Sequence, residues 1–148
     1  MVITNNGSMT TANDNTESFI NNVRLQSNGD SISLKNCHLS NCEKIYVTNG
    51  IVDFRNSSFI NTPVELGKIG RNSVSSISII DNEFNNRNIP SNAIYVLNCH
   101  NLNISDNNII SYATGISLNN CIGSISVFNT SENNNVIIKN NEIHDCSI

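Results

Sequence analysis

The eight-residue unit Leu102-Asn-Ile-Ser-Asp-Asn-Asn-Ile109 constrains this chain more than any other stretch. Leu102 and Ile104 flank polar Asn103, the period-two alternation of a half-buried strand. A polar turn, Asp106-Asn107-Asn108, follows, and one apolar residue, Ile109, closes the unit. The same shape recurs as Ile32/Leu34 with Leu39, Val52/Phe54 with Phe59, Ile77/Ile79 with Phe84, and Val136/Ile138 with Ile143. Between these units runs another strand type: Val23/Leu25, Ile45/Val47, Val64/Leu66, Ile94/Val96 and Ile116/Leu118. Measured from Leu34 to Phe54, Ile79 and Ile104, the units stand 20, 25 and 25 residues apart. A period in the low twenties built from several short strands marks a solenoid.

One such unit cannot bury its apolar residues alone, but units stacked about 4.8 Å apart can. Stacking predicts one column of Leu34, Phe54, Ile79, Ile104 and Ile138, and another of Leu39, Phe59, Phe84, Ile109 and Ile143. The sharp bend between the two strands that carry these columns needs a residue that tolerates left-handed backbone. Asn does so better than any residue but Gly. Asn82, Asn107 and Asn141 are expected at that bend, with Ser57 and Cys37 as departures, and their stacked amides should hydrogen-bond from turn to turn. That role accounts for much of the Asn, about a fifth of the chain. The pattern thus predicts an all-β parallel β-helix of about five turns over residues 19–148, with three short strands per turn. Residues 1–18, polar and without alternation, are expected to form an arm or cap.

A chain of 148 residues fits one domain. Disorder is disfavoured, because a disordered segment has no reason to keep its Ile, Val, Leu and Phe evenly spaced. A net charge of −4 with no basic run argues against a nucleic-acid backbone or an anionic membrane as partner. The N-terminal stretch lacks the charged and apolar regions of a secretory signal, and no apolar stretch is long enough to span a bilayer. Five cysteines leave at least one free or paired between chains. These features predict a cytoplasmic or virion-associated protein, or a piece of a longer exported chain.

The pattern Gly-Ile-x-Leu-x-Asn-Cys with Ile-x-Ile-x-x-Asn-x-Ile, visible at Gly115-Ile-Ser-Leu-Asn-Asn-Cys121, resembles the right-handed parallel β-helix repeats of the pectin lyase-like superfamily. The resemblance covers roughly residues 19–148. It implies a fold shared by lyases, hydrolases, tail spikes and adhesins, so it does not by itself choose a function. It also implies that any substrate lies along the outer face of the first sheet. The outward positions there are Arg24, Tyr46, Glu65, Tyr95 and Ser117, with Lys68 and Arg71 of a long loop nearby. Tyr46 and Tyr95 flanking Glu65 suit a sugar, since rings stack on its C–H face while polar groups bond its hydroxyls. The plainer alternative is that strand tyrosines simply cover the surface.

Glycoside hydrolysis normally needs two carboxylates roughly 5 to 9 Å apart. Glu65 is the lone catalytic candidate, because Asp53 belongs to another sheet. The Asn-Thr-Asp, Asp-Asp and Gly-His-Gly signatures of hydrolases in this superfamily are absent, as is an acidic cluster for calcium. A metal-free lyase with Lys68 or Arg71 as base has no positive support. His38, His100 and His144 read as surface residues, and Asp81, Glu83, Asp106 and Glu142 as solvated turn residues. Cys99 and Cys121 should stack as reduced thiols, and Cys37-x4-Cys42 is too loose a spacing for zinc. No cofactor or metal is expected. The leading expectation is a noncatalytic structural or recognition module of tail-spike, virion-surface or adhesin type that holds a polysaccharide or glycan. A carbohydrate-active enzyme, whole or as one wall of an inter-subunit site, is the alternative, and a pure assembly scaffold a third. Uncovered solenoid ends predict self-association or a larger assembly.

Overall fold

The computed structural model describes residues 1–11, 17–67, 74–87, 90–99, 101–119, 121 and 136–146. Within them the chain winds through rows of three short strands. The first row is β1 (Val2–Asn5), β2 (Ser8–Thr10) and β3 (Ser18–Asn21), and the second is β4 (Arg24–Ser27), β5 (Ser31–Lys35) and β6 (Cys37–Ser40). The third holds β7 (Lys44–Val47), β8 (Gly50–Arg55) and β9 (Ser58–Ile60). The fourth holds β10 (Val64–Leu66), β11 (Val74–Ile80) and β12 (Glu83–Asn85). The fifth is β13 (Asn92–Leu97), β14 (Leu102–Ser105) and β15 (Asn108–Ile110), and the sixth β16 (Thr114–Asn119), β17 (Val136–Lys139) and β18 (Glu142–His144).

Each row adds one strand to each of three parallel six-stranded sheets, giving an all-β solenoid of about five turns. Five steps of about 4.8 Å make a stack about 24 Å tall. Both expected columns exist: Leu34, Phe54, Ile79, Ile104 and Ile138 are register partners in sequence, as are Leu39, Phe59, Phe84, Ile109 and Ile143. Phe59 and Phe84 stack with ring centroids 4.5 Å apart. Every member of the columns in rows two to five is fully buried. Each such side chain contributes about 1.5–3 kcal/mol by leaving water.

The described residues of the segment expected to form an arm or cap include strands. Val2–Asn5 and Ser8–Thr10 pair with β4 and β5, and Ser18 opens β3. These residues lay a complete row of strands over the second row, so the cover is itself part of the sheets. Ile3, Met9 and Ile20 supply its few inward apolar contacts.

The alignment of the first sheet also differs from the sequence reading. Leu25 pairs with Ile45 and Ser27 with Val47, so buried Ser27 takes the place expected of an apolar residue. Its hydroxyl is met by the Asn5 amide at 3.0 Å. The shift moves Arg24 out of the Tyr46 file, to a place beside Lys44, and puts Gln26 next to Tyr46.

At the bend between the second and third sheets, two neighbouring positions divide the work expected of one. The left-handed residues are Asn36, Asn56, Asp81, Asp106 and Asn140, with φ between 49° and 59°. The next residue in each row turns inward and forms the ladder: Cys37, Ser57, Asn82, Asn107 and Asn141. Cys37 N–H donates to Ser57 Oγ (3.1 Å), Ser57 N–H to Asn82 Oδ1 (3.0 Å), Asn82 N–H to Asn107 Oδ1 (3.0 Å) and Asn107 N–H to Asn141 Oδ1 (3.1 Å). The Asn107 amide also donates to the carbonyls of Ile79 and Ser105, both at 2.9 Å. Outside the ladder the left-handed side chains pair in solvent, as Asn56 does with Asn36. Asn140 donates to Asp106, and this hydrogen bond holds the Asp106 carboxyl below its usual range.

This division predicts opposite outcomes at adjacent positions. Asn107→Ala strands the Asn82 N–H and removes the side-chain donor from the Ile79 and Ser105 carbonyls, and should cost about 2 kcal/mol in urea unfolding. Asn56→Gly keeps the left-handed backbone and should stay within about 0.5 kcal/mol, whereas Asn56→Ala should lose about 1 kcal/mol.

Candidate functional site

The outer face of the first sheet is built by alternation, since each strand there sends one residue in two inward. In β7, Ile45 and Val47 are buried and Lys44 and Tyr46 face out. Register places Tyr46 beside Glu65, Glu65 beside Tyr95 and Tyr95 beside Ser117. The expected file of Tyr46, Glu65 and Tyr95 is therefore present in successive rows. Lys68 and Arg71 lie outside the described residues.

Lys44, not singled out in the sequence, organises this face. Its Nζ lies 2.5 Å from Glu65 Oε2 and 5.6 Å from the centroid of the Tyr46 ring. Two residues before Tyr46 on one strand is the same-face spacing, so the sequence carried the signal. Arg24, which aligns beside Lys44, pairs instead with Glu43 at 3.5 Å.

A hollow of about 330 Å³ opens where this face meets the corner that follows the third sheet. Lys44, Glu65, Ser91, Asn92 and Tyr95 supply its polar lining, and Pro63 and Pro90 are among its apolar lining. Its size falls in the range of small-ligand sites. Tyr46 flanks this hollow from the adjoining row and does not line it. Among the described lining residues Glu65 is the single carboxylate, and Lys44 already engages it. Asp53 serves a separate cluster on the second sheet, with Arg55 Nε at 2.6 Å and Lys35 Nζ at 3.5 Å. The arrangement offers ring faces, an amide, and a paired cation and anion.

A second, more open hollow of about 570 Å³ shares Pro90 and Ala113 with the first and is walled by Arg87 and Tyr112. Tyr112 is buried, and its hydroxyl donates to the Phe59 carbonyl at 3.4 Å, two rows away. Burial pushes the phenol's pKa well above its ordinary value. Burial likewise raises the Cys37 thiol, against the hydrogen bonds from Thr11 and Ser57.

The remaining polar candidates stand apart from this face. His38 stacks on Phe19 and lies 3.7 Å from Glu17, while His144 lies 3.7 Å from Glu142, four rows away on the same sheet. His100 lies outside the described residues. Cys99 is buried, Cys121 partly so, and both are free thiols, as are Cys37, Cys42 and Cys146. Among the described residues no three His, Cys, Asp or Glu side chains converge as metal ligands, and no helix is long and apolar enough to cross a membrane. Comparison of the chain with protein-family models, curated proteins and solved structures finds no match.

Tyr112 gives the fold a pH dependence of known sign. The folded state keeps the phenol proton at a pH where the unfolded chain, with a pKa near 10, has lost it. Stability linked to Tyr112 is therefore complete below about pH 10 and falls as pH rises further. Urea titrations between pH 8 and 11 should show this loss, and Tyr112→Phe should reduce it.

Proposed function

We propose that the chain is a right-handed β-helix of the pectin lyase-like kind that acts as a noncatalytic structural and recognition module, with a glycan held on the outer face of its first sheet. The observation that carries this reading is the composition of the first hollow: Tyr95, Asn92 and an internally neutral Lys44–Glu65 pair. Tyr46 extends the same face by one row. Aromatic rings present an apolar surface to the C–H face of a sugar, and the polar groups around them fix its hydroxyls. Lys44 above Tyr46 and against Glu65 restrains both side chains before any ligand arrives, which lowers the ordering cost of binding.

The enzymatic alternative asks for more than this hollow supplies. Hydrolysis with inversion or retention uses a pair of carboxylates, one of them free to accept or deliver a proton. Glu65 is the single described candidate and is already ion-paired. On this reading the chain is a module of tail-spike, virion-surface or adhesin type.

Glycan-array binding by the unaltered chain and by a Tyr46→Ala/Tyr95→Ala double variant tests the proposal. Signal on a subset of glycans should fall about tenfold or more in the variant, a loss of about 1.4 kcal/mol or more. Equal signals from both, or none from either, would remove the glycan reading.

A further inference from the structure

Resting on the glycan reading above, we infer that the glycan is an uncharged, β-1,4-linked chain that lies along the stack axis with every second sugar seated on a tyrosine. Register runs Gln26, Tyr46, Glu65, Tyr95 and Ser117 into one outward file, one residue per row. Tyr46, Glu65 and Tyr95 each keep part of their surface open. The fold therefore sets the spacing of the two rings. They stand two rows apart, about 9.6 Å at the usual spacing of strands.

That distance selects a kind of chain. An extended β-1,4-linked pyranose chain advances by about one strand spacing per sugar and turns each ring over relative to the last. The first and third sugars of a trisaccharide thus present the same C–H face about two rows apart, and each stacks on one tyrosine. An α-1,4-linked chain of the same sugars curls and turns its successive rings through other angles. Such a chain engages one tyrosine at a time.

The middle sugar falls over Glu65. Glu65 Oε2 lies 2.5 Å from Lys44 Nζ, and Lys44 stands two residues before Tyr46 on β7, to one side of the file. The carboxylate is thus anchored toward the edge of the ribbon, where equatorial hydroxyls emerge, and not beneath its apolar face. Asn92 lines the hollow with Lys44 and offers an amide to hydroxyls of the sugar over Tyr95. The ionised groups described along this face cancel in pairs, Lys44 with Glu65 and Arg24 with Glu43 at 3.5 Å. An acidic chain would bring a second anion to Glu65 with no cation left over in these pairs, so an uncharged chain is favoured.

Register also fixes how many sugars matter. Two sugars cover one ring and Glu65, and three are needed to reach both rings. A fourth or fifth meets Gln26 or Ser117, polar side chains with no ring to offer, so elongation past three adds less.

Isothermal titration calorimetry on the full chain tests this with cello-, chito-, manno- and xylo-oligosaccharides of two to five units. In at least one series Kd should fall about tenfold or more from the di- to the trisaccharide, and about threefold or less on further elongation. Maltotriose, which is α-1,4-linked, and β-1,4-linked trimannuronate, which is acidic, should each bind about tenfold or more weakly than the best uncharged β-1,4 trisaccharide. In Tyr46→Ala, with its β circular-dichroism spectrum retained, the step from di- to trisaccharide should vanish, and Tyr46→Phe, which keeps the ring, should restore it. No binding in any of the four series, no step at three sugars, either control binding as tightly, or a step that survives Tyr46→Ala overturns the inference. A different glycan captured on the array and lost with the double variant then leaves the recognition reading standing, whereas an array without signal removes both.

Discussion

A chain that bends sharply in every row must leave backbone N–H and carbonyl groups pointing away from any strand partner, and leaving such groups unpaired in the interior costs about 1–3 kcal/mol each. The inward residue at the bend between the second and third sheets resolves this for each row. Asn82 accepts from the Ser57 N–H and donates to the carbonyls of Phe54 and Ile80, so one side chain bonds three backbone groups drawn from two rows. Asn107 repeats the arrangement one row on. Burial of the apolar columns drives the stack together, but oil alone does not choose which residue lies over which. The ladder makes that choice, because an amide displaced by one residue loses all its partners together.

Much of this was legible in the residues. Period-two alternation and the lone apolar residue after each turn were enough to place both columns, since burial on one face leaves no tolerance for a slip of one. The left-handed residue of the bend lies one position before the Asn that the repeat pattern picks out. Asn, Asp and Ser all occur at its two positions, and no periodicity separates the residue that adopts left-handed backbone from the one that turns its amide inward. The first row carries no repeated signal, because Ile3, Met9 and Ile20 lie among polar neighbours and make no repeated pair. In the second row, Val23 and Leu25 resembled an inward pair. Leu25 and Ser27 hold those places instead, because Asn5 satisfies the buried serine.

The candidate site was legible to a similar degree and for similar reasons. Tyr46, Glu65 and Tyr95 fall in one file because the first sheet keeps register across rows of unequal length. Arg24 left the file through the same shift that buried Ser27. Lys44 was within reach of the alternation argument, being two residues from Tyr46. The hollow itself was not, because Asn92 and Pro90 arrive from a corner whose path depends on the loop ahead of β13. Repetition makes strands readable, and corners, which do not repeat, are where the surface acquires its chemistry.

Consecutive rungs of the ladder are separated by 20, 25 and 34 residues along the chain, yet Cys37 with Ser57, Asn82 with Asn107, and Asn107 with Asn141 all meet at about the same distance. Spatial pitch is conserved while contour length is not. A solenoid of this kind can therefore lengthen, shorten or exchange a corner segment without retuning its interior, much as a ring binder accepts pages of different size. Selection acting on such a chain has a scaffold whose exterior varies by insertion and whose interior varies only by substitution.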